Sequence, residues 1–305
     1  MQLDGQDQAS SLDRAAAIFI EVRPRLFGIA YRMLGIAAEA EDVVQETWLR
    51  WQHTERSIID NPAAFLATIT TRLSINAAQS ARVRRETYLG PWLPEPVDTS
   101  ADPALGAERG EALEMALLLL LEKLTPAQRA AYVLREAFDY PYEQIAEILR
   151  LSPANVRQLV SRSRKYLSTA RRESIDAGRH RRLMETFLDA AKEGNVSALE
   201  ELFAADVVST SDGNGIRGAA RFPVVGVNRV ARFMAALAPR FWSAERIRWV
   251  EVNGRAGLLV PRGPAGFMLL SVDAASDGIR HLMWIVTADK LGGFVPSVER
   301  VGGTV

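Results

Sequence analysis

The chain has 305 residues, 48% hydrophobic and 24% charged, with 37 basic and 37 acidic side chains and no net charge, a profile that fits two or three globular domains. The absence of cysteine removes disulfides, thiolate nucleophiles and Cys-ligated zinc or iron–sulfur sites, and His53, His180 and His281 are too dispersed to favour a histidine metal site, so no cofactor is expected. No basic run leads into an apolar segment and cleavage site at the N-terminus, and the most apolar run, MALLLLLEKL at 115–124, is too short to span a bilayer. The expected compartment is the cytoplasm.

From about residue 12 to 88 the pattern predicts a helical domain. DVVQETWLRW, 42–51, sets Val43, Trp48 and Trp51 among charged neighbours. Asn61-Pro62 reads as an N-cap followed by a proline in the first turn, where its missing N–H costs nothing. Phe65, Leu66, Ile69, Leu73 and Asn76 then recur at helical spacing, and Arg82, Arg84 and Arg85 cluster at the end. The prolines of GPWLPEPVD break the run, because each lacks a donor and biases its predecessor away from the α region. This linker, 89–107, carries Trp92 and Leu93, too apolar for a bare spacer. They read either as a cover for a neighbouring helix end or as a docking strip for another domain of the chain.

Helices resume over 108–174. In DYPYEQIAEILRLSPANVRQLVSRSRKYL, Ile145, Ile148 and Leu149 form the apolar stripe of a short helix and RLS makes the turn. Ser152 caps a second helix that starts at Pro153. Val156, Leu159, Val160, Ser163 and Leu167 point one way, while Arg157, Gln158, Ser161, Arg162, Arg164 and Lys165 cover the rest. This is helix-turn-helix spacing with a basic outer face, suited to DNA. Zero net charge is no objection, since phosphate affinity depends on the local patch and distant acids are screened.

After Arg182 the texture becomes α+β. A helix from about 183 ends at Gly194-Asn195, a short helix leads into a strand at 206–210, and 227–238 forms another helix. RIRWVEVN, AGLLVPRG, AGFMLLSVD and IRHLMWIVT then alternate with turns as an antiparallel meander, predicting a cone or half-barrel over 181–291. Residues 292–305 read as a loosely held tail.

These blocks, in this order, resemble the group IV, extracytoplasmic-function RNA polymerase sigma factors that carry a fused SnoaL-like (nuclear-transport-factor-2-like) C-terminal domain. The resemblance implies a multidomain fold: two all-α modules, the second with the helix-turn-helix, then an α+β cone. AYRMLGIAAEAEDVVQETWLRW, 30–51, is similar to the family's polymerase-clamp binder, 61–86 to its minus 10 reader, and LTPAQRAAYVLREAFDYPYEQIAEIL with the next helix to its minus 35 reader. WLPEP, 92–96, resembles the linker signature of the fused subtype. DKL, 289–291, resembles the end of an Asn-Pro-Asp-Lys-Leu signature. DGNGI, 212–216, matches an Asp-Gly-Gly-Gly-Lys signature at Asp212, Gly213 and Gly215 and departs from it at Asn214 and Ile216, with Arg217 a substitute for the missing charge.

The implied function is that of a sigma factor, not an enzyme, with core RNA polymerase and promoter DNA as partners and a monomeric free state. Expected polymerase contacts are Asp42, Gln45, Glu46, Trp48 and Trp51. Asn76 and Ser80 are expected at minus 10 bases, with Arg82, Arg84 and Arg85 on phosphates. Asn155, Arg157, Gln158, Ser161, Arg162 and Lys165 are expected at minus 35. Trp92, Leu93, Pro94, Glu95, Pro96, Asp212, Gly213, Gly215, Arg217, Asp289, Lys290 and Leu291 form an expected regulatory contact between linker and cone.

Two other classes compete. A helix-turn-helix repressor with a ligand-sensing domain would need no polymerase-binding module. A SnoaL-like enzyme would need an acid–base constellation, for which only Asp206, Asp212 and His281 offer themselves. A small-molecule ligand of the cone is compatible with either regulator.

Overall fold

The computed structural model describes residues 3–85, 87–100, 114–170, 175–242, 247–263 and 266–294, without the side chains of 3–11, 82–85, 170 and 240. The chain divides into two compact units, one of residues 1–84 and 120–170, the other of 85–119 and 171–305. The two helical modules expected from sequence thus share a unit, and the linker belongs with the C-terminal domain.

The first unit is helical: α1 (Leu3–Leu34), α2 (Ala37–Gln52), α3 (Pro62–Arg85), the end of α4 (Met115–Leu121), α5 (Pro126–Glu136), α6 (Tyr142–Leu149) and α7 (Pro153–Ala170). The cap expected at Asn61 forms, and Thr125 adds one that was not expected. The Asn61 carboxamide accepts from the Ala64 amide at 3.0 Å, and Thr125 and Gln128 close a reciprocal capping box at the start of α5, satisfying donors a helix start leaves orphaned. Leu26, Ile29, Tyr31, Met33 and Leu34 of α1 are buried, as are Trp51 and Leu66. α1 packs on α2 and on α5, and α7 packs on α5 and α6.

The second unit holds α8 (Ala177–Glu193), α9 (Val196–Leu202), α10 (Val227–Ala236) and a six-stranded sheet of β1 (Phe203–Asp212), β2 (Val224–Val225), β3 (Arg248–Val252), β4 (Arg255–Pro261), β5 (Phe267–Ala275) and β6 (Gly278–Ile285), in the order β2-β1-β6-β5-β4-β3. β3 to β6 form the expected antiparallel meander. β1 runs parallel to β6, an arrangement that needs a long crossover, and the chain between them supplies it.

Strand alternation gives the sheet two apolar faces. Leu258, Val260, Leu270, Leu282 and Trp284 join Met184, Phe187, Val230 and Met234 in the larger core beneath the helices. Leu259, Leu269, Met283 and Ile285 face the other way and pack with Leu93, Met115, Leu291 and Phe294. Met115 lies inside the segment expected as part of the second helical module, yet its side chain is core of the C-terminal unit. Phe294, expected in a loose tail, is 7% exposed in the same cluster; 295–305 lie outside the described residues.

Candidate functional site

α6 ends at Arg150 in the left-handed region, φ 55°, whose amide donates to the Ala146 and Glu147 carbonyls. The Ser152 hydroxyl accepts from the Asn155 amide at 3.2 Å, so the turn and cap read from RLSP are present. Val156, Val160, Ser163 and Leu167 of α7 are buried at three- and four-residue intervals, and Asn155, Arg157, Gln158, Ser161, Arg162 and Lys165 are all exposed. Arg157 is steadied by Glu143, at 3.2 Å, and by the Tyr142 ring, 5.4 Å from its guanidinium carbon. Arg164 instead pairs with Glu136 at 2.7 Å. The second helix therefore presents a polar, cationic surface with fork-shaped donors, the chemistry that reads base edges and phosphates.

On α2, Asp42 and Gln45 are exposed, and Glu46 is half-buried and accepts from Arg50 at 2.9 Å. Trp48 is half-buried with its ring 4.9 Å from that of Phe19. Trp51 departs from the sequence expectation. It is 1% exposed, donates its indole N–H to the Ala15 carbonyl at 3.1 Å and stacks near Phe65, so it is core and has no surface to offer a partner. Leu49, 50% exposed beside Gln45 and Glu46, is an apolar residue on this face that amphipathic spacing alone did not single out.

On α3, Asn76 and Ser80 are exposed, with the Ser80 hydroxyl 3.4 Å from the Asn76 carbonyl. The backbone of Arg82, Arg84 and Arg85 continues the helix; their side chains lie outside the described residues. Arg72, one helical turn before Asn76, donates from Nε to the Ile148 carbonyl at 2.9 Å and from Nη2 to that of Glu147 at 3.0 Å. A cation on α3 thereby caps the C-terminal end of α6, where the helix dipole is negative.

Further ties join the two helical modules. Arg25 of α1 donates to the Phe138 carbonyl at 2.8 Å and lies 4.8 Å from the centre of the Tyr140 ring, Arg32 lies over Phe138, and the Arg129 Nε donates to the Arg32 carbonyl at 2.7 Å. Burial pulls the Arg129 guanidinium down to about 9, which leaves it protonated at neutral pH and paired with Glu122.

In the C-terminal unit the three separated signatures meet at one carboxylate. Asp212, at the end of β1, is fully buried. Its Oδ1 accepts from the Tyr88 hydroxyl, and its Oδ2 accepts from the Leu93 amide and from Lys290 Nζ, both at 2.7 Å. Lys290 also donates to the Leu93 carbonyl at 2.5 Å and stands over the Trp92 and Tyr88 rings, 4.6 and 5.6 Å from their centres. Burial first, and then donation to Asp212, push the Tyr88 phenol well above its ordinary value, so it stays a donor. Leu93, Pro94 and Pro96 are buried, Glu95 is half-buried and Asp289 is exposed, while Leu291 packs beside Leu93.

The charge missing from DGNGI is supplied by Lys290, not Arg217, whose side chain is exposed and whose carbonyl accepts from Arg262 at 3.1 Å. Asn214 replaces a glycine at φ 40°, a conformation Asn tolerates through its short polar side chain, and its carboxamide accepts from the Leu89 amide. Gly213 is obligatory, since a Cβ there would sit 2.3 Å from that of Ala219. Ile216 is 38% exposed.

Beyond WLPEP the linker continues along the sheet edge. Val97 and Asn253 exchange hydrogen bonds of 3.0 and 2.9 Å, Thr99 donates to Glu251 at 2.5 Å, and Glu114 pairs with Arg255 at 2.5 Å. Sequence reasoning missed Tyr88, Asn253 and the Glu114–Arg255 pair. Their partners lie 124 to 156 residues away, and no local pattern marks them.

A helix-turn-helix with an exposed cationic second helix, joined to another helical module and followed by an α+β cone holding the linker, defines a promoter-reading transcription protein. Residues 18–84 match Sigma-70 region 2 and residues 114–167 match Sigma-70, region 4. The ECF RNA polymerase sigma factor SigJ of Mycobacterium tuberculosis is 38% identical over 229 residues, 73% of each chain. The probable ECF RNA polymerase sigma factor SigI of the same species is 32% identical over 90% of this chain and 94% of its own. The crystal structure of M. tuberculosis SigJ superposes with a TM-score of 0.76 at 32% identity, covering 91% of this chain and 98% of that one.

The chain belongs to the extracytoplasmic-function RNA polymerase sigma factors, in the form with a fused SnoaL-like domain. It directs core RNA polymerase to promoters, and core polymerase and promoter DNA are accordingly its partners; the family is not one of enzymes. No helix among the described residues is long and apolar enough to cross a membrane.

Proposed function

We propose that the C-terminal domain governs promoter engagement in cis, by gripping the linker between the two promoter readers. The observation that carries this is the buried node at Asp212, which ties Leu93 of the linker, and Tyr88 just before it, to Lys290 near the C-terminal end of the cone's sequence. A buried ion pair costs several kcal/mol to break by removing one partner, so the linker's path is set by the cone. In this reading the free protein is a monomer that works in the cytoplasm beside the polymerase.

The exposed face of α7 is assigned to the minus 35 element, Asn76 and Ser80 to minus 10 bases, Arg82, Arg84 and Arg85 to phosphates, and Asp42, Gln45, Glu46, Trp48 and Leu49 to the polymerase. Two elements about 25 base pairs apart span roughly 85 Å of duplex at about 3.4 Å per pair. A compact unit the size of the helical one has a radius of gyration of only roughly 14 Å. α5 to α7 must therefore leave α1 and α3 before both elements are held at once, and Arg25, Arg72 and Arg129 are the residues that resist it.

Run-off transcription with core polymerase, comparing wild type with Lys290→Met, tests the grip. Transcript yield is expected to change at least severalfold; equal yields at every sigma concentration would end the proposal. For the minus 35 face, Arg157→Ala and Arg162→Ala are each expected to weaken binding of matched promoter DNA by about 1–3 kcal/mol. An equal loss on scrambled DNA would reassign them to phosphates.

A further inference from the structure

The C-terminal domain has a cleft open to solvent beside its core. A cavity of about 280 Å3 lies between α10 and the sheet, walled by Phe233, Leu237, Phe241, Met268, Trp284 and Val286, with Ser211 and Arg262 as its polar groups. A second recess of about 410 Å3 adjoins it, sharing Ser211, Gly218, Ala219 and Ala220, and is lined on its far side by Arg217, Arg221 and Leu89. Among the described residues, three arginines and no acid line the two. Aromatic walls with arginine as the only charged lining favour an apolar body that carries a negative group, because guanidinium donors match a carboxylate and no acid competes for it. At interior packing density the inner cavity alone holds roughly 10 to 14 non-hydrogen atoms.

The loop that walls this space is also the one that holds the linker. Gly218, Ala219 and Ala220 line the cavity, while Asp212 and Asn214, at the start of the same loop, bind Tyr88, Leu89 and Leu93. Gly213 and Ala219 bring the two ends of the loop together, since a Cβ on Gly213 would sit 2.3 Å from that of Ala219. Leu89 reaches into the outer recess itself.

We propose that this cavity binds a small carboxylic acid with an aromatic or compact apolar body, its carboxylate at Arg262, and that occupancy strengthens the hold on the linker. A ligand that binds only the form with the loop in place stabilises that form by mass action. The coupling rests on the reading that the linker grip is regulatory, whereas binding itself does not. Loss of the transcription effect of Lys290→Met would leave the binding result standing, and the converse holds too.

The test uses the full chain with benzoate, phenylacetate and indole-3-acetate as probes, followed by ligand-observed NMR and calorimetry. At least one acid is expected to bind with a Kd below about 1 mM, as befits a fragment-sized ligand. Arg262→Gln is expected to weaken the acid at least tenfold while leaving binding of its neutral amide within about twofold, and Ala220→Phe to abolish both by filling the space. At ten times Kd, amide exchange at Leu93 is expected to slow about tenfold. No binding of any of the three acids at 10-millimolar order overturns the site. Binding that neither substitution alters places the ligand elsewhere and overturns it as well. Binding with unchanged exchange across 88–97 overturns the coupling.

Discussion

The two units hold their movable parts by different means. In the C-terminal unit the linker is held by burial: Leu93 sits in an apolar cluster and its amide and carbonyl are both engaged by a carboxylate and an ammonium with almost no access to water. In the helical unit, Arg72 and Arg25 reach partly exposed backbone carbonyls across the module boundary. Such side-chain-to-carbonyl bonds at partly exposed carbonyls exchange readily with water, whereas removing one partner of a buried ion pair costs about 3–5 kcal/mol and burying the leucine beside it contributes about 1.5–3 kcal/mol more. Apart from Arg129, whose buried guanidinium holds the Arg32 carbonyl, the ties between the helical modules are the more open to water, as expected if the linker path is constant while the DNA readers separate on the promoter.

The sharpest way to break this contrast is Asp212→Ala. It leaves Lys290 and the Leu93 amide without their shared acceptor and is expected to destabilise the C-terminal unit by about 3–5 kcal/mol, read by denaturant unfolding. A loss below about 1 kcal/mol would mean that the node is replaceable by water and that the linker is held no more firmly than the readers.

Acid should loosen the same unit. Burial depresses His281 from 6.5 to about 4, where it meets the Thr210 hydroxyl at 2.8 Å, and burial also lowers His180. A neutral histidine in the folded state and a proton-binding one in the unfolded state make stability full above about pH 6.5. It falls as pH drops from there towards 4, by on the order of 2–3 kcal/mol for His281. His281→Gln is expected to flatten that decline, and an unaltered pH profile in thermal melts would refute the assignment.

The smallest effect is expected at the yielding contact. Arg72→Ala, which removes two partly exposed bonds, should cost about 1–3 kcal/mol of stability and raise the open population at least severalfold. Because the chain has no cysteine, Ser57→Cys and Ser168→Cys, at exposed positions, can carry a dye pair, and transfer efficiency should fall in the Arg72→Ala background. Unchanged efficiency would show that the docking does not depend on this cation.

Much of the architecture was legible. Helix starts at Asn61 and Ser152 follow from cap chemistry, the buried stripe of α7 from its spacing, and four strands from apolar runs set off by turns, because each signal lies within a few residues. The meeting of WLPEP, DGNGI and DKL was legible only as a resemblance. Trp51 read as an interface aromatic because spacing cannot tell a helix face turned to Ala15 and Phe65 from one turned to solvent. Tyr88 carried no signal, since its role depends on a carboxylate 124 residues away.

By itself the sequence determined the local elements, the order of the modules and the cationic face of α7, since these depend on neighbours along the chain. Only the tertiary structure decided that the linker belongs to the cone, that Lys290 rather than Arg217 neutralises Asp212, that β1 lies parallel to β6, and that Arg72 caps α6 rather than facing solvent. Those outcomes depend on which distant groups share a low-dielectric interior, where every donor and charge must find a partner.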